Sequence, residues 1–102
     1  MIIQRYTVNY NTPQTAASFL DFGENMDSEV IRHIAAGLSN GGITAVEETL
    51  APDGLSAVVE RRWTDECANN LLAITSIDSM INACRNHEDV ASINGSFGDI
   101  NF

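Results

Sequence analysis

The sequence predicts one α+β domain in which a four-stranded antiparallel sheet carries two main helices on one face. Three observations lead to this expectation. Four segments have the length and residue types of β-strands, and two others repeat apolar residues with a helical period. These segments follow one another in the order β-α-β-β-α-β. The chain has 102 residues, which suits one modest core, so residues 1–102 are expected to form a single domain.

The first strand is predicted over residues 2–10, where apolar and polar side chains alternate. Gln4 is a polar exception on the apolar face, and Pro13 breaks the pattern after the strand. Residues 13–22 fit either a short helix that begins at Pro13 or an extra strand. We favour the helix.

The first main helix is predicted over residues 27–39. Asp27 or Ser28 is a suitable N-cap, and the two glycines after Asn40 provide a stop signal. The apolar side chains expected to form one stripe along this helix are Val30, Ile31, Ile34, Ala35 and Leu38.

A hairpin is predicted next, with strands over residues 43–50 and 55–63 joined by a Pro-Asp-Gly turn. Both arms carry apolar side chains on both faces. In the register closed by this turn, the face away from the helices contains Ile43, Ala45 and Val58. Because helices cover only one face of a sheet, a second sheet would bury these side chains better.

The second main helix is predicted over residues 64–87. Cys67 and Cys84 would lie about 25 Å apart along it, too far for a disulfide. A last strand over 90–97 and a tail that ends at Phe102 complete the predicted elements. The apolar stripe of the helix consists of Cys67, Leu71, Ile74, Ile77, Ile81 and Cys84.

This element order is the ferredoxin-like, split-βαβ pattern. Together with strands that are apolar on both faces, it resembles the dimeric α+β barrel superfamily, in which two such subunits pack sheet against sheet. The resemblance covers the whole chain and involves no diagnostic motif. It implies a homodimer, so a second copy is the expected partner. The side chains expected at the dimer interface are Ile3, Ile43, Ala45 and Val58.

The chain is acidic, with a formal net charge of −9, and its five basic residues are all arginines. Chemistry that needs a lysine, such as a Schiff base or a phosphate-binding loop, is therefore excluded. The charge also disfavours nucleic acids and anionic membrane surfaces as partners. No apolar run reaches the roughly 18 residues that span a bilayer, and the start of the sequence does not resemble a secretory signal. A cytoplasmic protein is expected.

Two functions are considered. The first is a small homodimeric binding or interaction module without catalysis. The second follows from the resemblance, because some barrel members are cofactor-free monooxygenases or haem-degrading enzymes with a pocket between helices and sheet. The first and third strands are expected to run parallel, so the corresponding pocket here would contain Tyr6, Asn9, Trp63 and Asn70. Its ligand would be a small apolar or aromatic molecule. No catalytic residue is assigned, and the second main helix has no central histidine, which counts against haem.

Possible metal ligands occur in two places, at residues 87–89 (His-Glu-Asp) and at Glu29 with His33. Neither group has the three or four converging ligands of a zinc site. The sequence therefore predicts neither a metal nor a cofactor.

One further pair of charges draws attention. Glu48 and Arg61 are expected to lie close together on the helix-covered face of the hairpin. They are interpreted either as a polar anchor in a ligand pocket or as a structural ion pair at a sheet edge, and we favour the ion pair.

Overall fold

The computed structural model describes residues 1–15, 28–74 and 77–102, which form a small α+β domain around one antiparallel sheet. The strands are β1 (Ile2–Tyr10), β2 (Ile43–Leu50), β3 (Ser56–Trp63), β4 (Val90–Phe97) and β5 (Ile100–Asn101). The helices are α1 (Ser28–Ser39), α2 (Asp65–Ile74) and α3 (Ile77–Arg85). The strand order across the sheet is β2-β3-β1-β4-β5. Within the ranges given above, no helix combines the length and apolar character needed to cross a membrane.

The predicted four-stranded ferredoxin-like βαββαβ fold is wrong. The described chain has five strands and three helices in the order β-α-β-β-α-α-β-β. The helix predicted over 64–87 consists of α2 and α3, and Thr75 and Ser76 between them lie outside the described residues. The predicted apolar stripe nevertheless continues through both helices, with Leu71, Ile77, Ile81 and Cys84 all buried.

The fifth strand arises where the sequence suggested only a tail. Gly98 has a φ of 57° at the first position of a two-residue loop, as type II′ hairpins require. The chain then turns back along β4, and both the N–H and the carbonyl of Phe102 bond to Gly95 at 3.0 Å. A two-residue strand is too short to show an alternating pattern, which explains why it was missed.

Strand β2 contains a bulge at Val46. Its pairing with β3 shifts between Ala45 and Glu47, so Val46 is the extra residue. A bulge interrupts the alternation of side chains along a strand. As a consequence Ile43 points into the core and is only 3% exposed, although the regular alternation had placed it on the opposite face.

The core lies between the helices and the face of the sheet formed by even-numbered residues of β1. Trp63, Leu71, Gln4 and Val8 are the largest side chains that are completely or almost completely buried. Gln4 is the only polar or charged residue among the buried residues described. Its position requires a hydrogen-bond partner inside the core, because an unpaired buried amide is costly.

The region predicted as a short helix or an extra strand is only partly described. Residues 13–15 have no regular structure, and residues 16–22 lie outside the described residues. Gln14 donates its backbone N–H to the carbonyl of Gly54 at 2.8 Å. Gly54 has a φ of 73°, in the left-handed region that glycine adopts readily. The segment after β1 therefore contacts the β2–β3 turn at a glycine.

Candidate functional site

The four residues predicted to form a pocket do not come together. Strands β1 and β3 are antiparallel, so Ile2 pairs with Trp63 while Asn9 pairs with Ser56. The expectation that these strands run parallel is wrong, because β3 returns between β1 and β2, which share one direction. Seven residues of extended strand place Asn9 about 23 Å from the position opposite Trp63.

The two asparagines have other roles. Asn9 donates from Nδ2 to the Ser92 hydroxyl at 2.9 Å, a link between β1 and β4 on the side without helices. Asn70 is exposed on α2. Only Tyr6 and Trp63 of the predicted set are buried in the core.

Trp63 is the centre of an aromatic and polar cluster. Its indole N–H donates to the Gln4 side-chain oxygen at 3.0 Å. The Phe97 ring meets it edge-on at a centroid distance of 5.4 Å, and the His33 ring stacks on it at 6.2 Å. His33 Nε2 also lies 3.1 Å from the carbonyl oxygen of Cys67, which ties α1 to α2. Trp63 therefore packs tightly between sheet and helices instead of facing a substrate.

The second polar cluster confirms that Glu48 and Arg61 pair on the helix-covered side. Arg61 donates from Nη2 to the Glu48 carboxylate at 3.0 Å and from Nη1 to the Tyr6 hydroxyl at 3.2 Å. The Arg61 side chain is only 16% exposed. Its Nε is buried and has no acceptor among the described residues. The cluster thus links β1, β2 and β3 through one guanidinium.

The space beside this cluster is small. A cavity of ≈ 10 Å³ is lined by Gln4, Tyr6, Ile34, Arg61, Ile81, Cys84, Ile93 and Phe102. That volume has room for about one water molecule, so an aromatic ligand does not fit here in this conformation. A larger groove of ≈ 430 Å³ at the sheet end is lined by Met1, Gly41, Gly42, Thr44, Arg62, Trp63, Thr64 and Asp65. Trp63 is the only residue of the predicted pocket at that groove, and it is fully buried.

Burial favours the neutral forms of the Tyr6 phenol and the Cys84 thiol. It raises the pKa of the Tyr6 phenol, an effect that the nearby Arg61 partly opposes. It also raises the pKa of the Cys84 thiol to about 11, again with partial opposition from Arg61. A neutral phenol and a neutral thiol are poor bases and nucleophiles near pH 7.

These pKa values predict a loss of stability in alkali. Burial raises the pKa of Cys84 from 9.0 to about 11 and that of Tyr10 from 10.0 to about 12. Because the neutral forms are favoured in the folded state, their contribution is complete below the ordinary pKa and is lost as pH rises through the folded-state value. Urea unfolding followed by Trp63 fluorescence should show constant stability to about pH 8 and a decline from about pH 9 to 12.

The Cys84→Ala variant tests the origin of that decline. It removes the thiol and leaves the tyrosines, so the decline should begin closer to pH 10. Unchanged stability of the parent chain from pH 7 to 11 would contradict the assignment.

The other face of the sheet has no helix against it among the described residues. We call it the open face and define it by the strand residues whose side chains point away from the core. These are Ile3, Arg5, Thr7, Asn9, Thr44, Glu47, Thr49, Ser56, Val58, Glu60, Arg62, Ser92, Asn94 and Ser96. Most are short and polar, and the charged ones are two arginines and two glutamates.

The residues predicted at a dimer interface are divided between the two faces. Ile3, 46% exposed, and the half-buried Val58 lie on the open face. Ile43 belongs to the core, and Ala45 pairs with Arg61, whose side chain lies on the helix side. The bulge at Val46 is the physical reason, because it reverses the alternation in the first half of β2.

Comparison with known proteins adds no relative: the chain matches no protein-family model, no curated protein and no solved structure. Among the described residues, no three histidine, cysteine, aspartate or glutamate side chains converge as metal ligands. His87 accepts from the backbone N–H of Asp89 at 3.2 Å. Fold geometry and surface charge are therefore the basis for the functional proposal.

Proposed function

We propose that this chain is a small homodimeric binding module and that two copies associate through their open faces. The observation that carries the proposal is the charge balance of that face. The whole chain has a net charge of −9. The open face contains Arg5, Arg62, Glu47 and Glu60, so its strand residues sum to zero.

This charge balance matters because copies of a strongly acidic protein repel one another. A neutral patch is where two such surfaces can approach most closely, and its separate positive and negative side chains can still meet opposite charges on a partner. Arg5 already bonds to Glu60 across the strands at 2.8 Å. The patch thus combines low net repulsion with specific polar groups.

The size of the open face also suits a second copy. Four strands of about eight residues cover about 500 Å² at roughly 3.3 Å per residue and 4.8 Å per strand. Two copies would bury about 1,000 Å² together, near the lower bound for a specific interface. Thr7, Ser92 and Ser96 near the centre of the face are short, so they allow a second sheet to approach closely.

The oligomeric state tests this proposal. The chain has a mass of 11.1 kDa, and light scattering after size exclusion at micromolar concentration should give about twice that mass. Ile3→Glu should weaken the dimer about tenfold or more, because it gives the open face of each copy a net negative charge, so that the two faces repel each other. Leu72→Glu is the matched control, since Leu72 on α2 is also 46% exposed.

Circular dichroism of each variant establishes that the fold is intact. A monomer of the parent chain at all concentrations up to about 100 μM would overturn the proposal. Equal effects of Ile3→Glu and Leu72→Glu would also contradict it, because only Ile3 lies on the open face.

A further inference from the structure

Two opposite charges on the open face have no ion-pair partner among the described residues. Arg5 pairs with Glu60, but Glu47 lies directly across from that same glutamate in the ladder. Like charges at directly opposed positions destabilise a sheet. Arg62 is exposed and faces Ile3 on β1. The face therefore presents one carboxylate and one guanidinium that have no ion pair with any residue the structure describes.

The bulge at Val46 produces this arrangement. It allows Ile43 to point into the core while Glu47, four residues later, points away from it. In a regular strand these two residues would share a face. Glu48 then lies on the helix side, where Arg61 neutralises it. The sequence Glu47-Glu48 thus places one acid on the helix side, where it is paired, and the other on the open face, where no described residue pairs with it.

We propose that Glu47 of one copy pairs with Arg62 of a second copy, and that the same contact occurs twice about a two-fold axis. This inference rests on the proposed association through the open face. Glu47 and Arg62 are one strand and two residues apart, a diagonal of about 8 Å. A two-fold axis between the sheets, perpendicular to that diagonal, exchanges the two positions. Extended over the sheet, this two-fold axis crosses β3 and then β1 close to Arg5, near the middle of the open face. The two sheets therefore overlap around their centres.

Charge reversal tests the pairing. Glu47→Arg gives a chain with two arginines at the contact, and Arg62→Glu gives a chain with two glutamates. For each variant alone, the dimer dissociation constant should rise about tenfold or more, because both contacts become repulsive. An equimolar mixture of the two variants should form a heterodimer, since each arginine then meets a glutamate. The double variant should dimerise about as well as the parent chain.

The control is Glu88→Arg, which makes the same charge change at an exposed position after α3. It should leave the dimer dissociation constant within about threefold of the parent value. Native mass spectrometry or sedimentation of single variants and mixture, at about 50 mM and 500 mM salt, measures the effects, which should shrink at high salt.

The outcomes separate the two proposals. If the parent chain is monomeric, association through the open face fails and the pairing fails with it. If the parent chain dimerises and Ile3→Glu weakens it, but the mixture of Glu47→Arg and Arg62→Glu does not form a heterodimer, only the pairing is overturned. Single variants that dimerise as tightly as the parent chain would overturn the pairing as well.

Discussion

Replacing Trp63 with alanine should lower the free energy of unfolding by about 3–5 kcal/mol. The side chain is fully buried and contacts the rings of His33 and Phe97. Its loss leaves a large cavity and removes the hydrogen bond from the indole N–H to Gln4. A domain of this size has a total stability of about 5–15 kcal/mol, so this loss is a large fraction of the whole.

Urea unfolding followed by far-ultraviolet circular dichroism measures this loss, because the variant lacks the only tryptophan. The Trp63→Phe variant keeps a ring against Phe97, so its free energy of unfolding should fall by less than that of the alanine variant. Leu72→Ala on the exposed surface of α2 is the control and should change stability by less than about 1 kcal/mol. A Trp63→Ala variant as stable as Leu72→Ala would show that the cluster is not part of the core.

Replacing Gly95 with alanine should also lower the free energy of unfolding by about 3 kcal/mol, which is a large effect for the addition of one methyl group. A Cβ at this position would overlap the carbonyl oxygen of Arg5 and lie 2.6 Å from the Cα of Tyr6. Both are backbone atoms in the middle of the sheet, so β1 and β4 would have to separate. The bonds between Gly95 and Phe102 would be disturbed at the same time.

Gly41→Ala provides the matched comparison. Gly41 has a φ of 72° and no atom within 4 Å of the added methyl group. The Gly41→Ala variant should lose only roughly 1–2 kcal/mol of its free energy of unfolding, which is the cost of a left-handed conformation for alanine. Trp63 fluorescence during urea unfolding measures both variants. If the Gly95→Ala variant is no less stable than the Gly41→Ala variant, the close approach of β1 and β4 at Gly95 is contradicted.

Much of the secondary structure could be predicted because its signals are local. The alternation in β1 and β4 and the apolar stripe through α2 and α3 each appear in a few consecutive residues. The β5 strand and the bulge at Val46 depend on pairing with a neighbouring strand, which a single segment does not reveal.

The candidate site was harder to predict for the same reason. The pocket hypothesis depended on a wrong relative direction of two strands, so it joined Asn9 to Trp63 across the length of the sheet. The sequence did contain one usable signal, a polar Gln4 on an apolar strand face. A buried tryptophan needs an acceptor for its N–H, and the pairing of Gln4 with Trp63 follows from that need.

The bulge at Val46 also limits how this protein can polymerise. The two edges of the described sheet are β2, whose ladder the bulge interrupts, and β5, which is only two residues long. Long, regular edges invite strand-by-strand growth into fibres, and irregular or short edges block it. The bulge thus hinders growth in the plane of the sheet at β2, and contact through the open face about a two-fold axis would yield closed pairs instead of filaments.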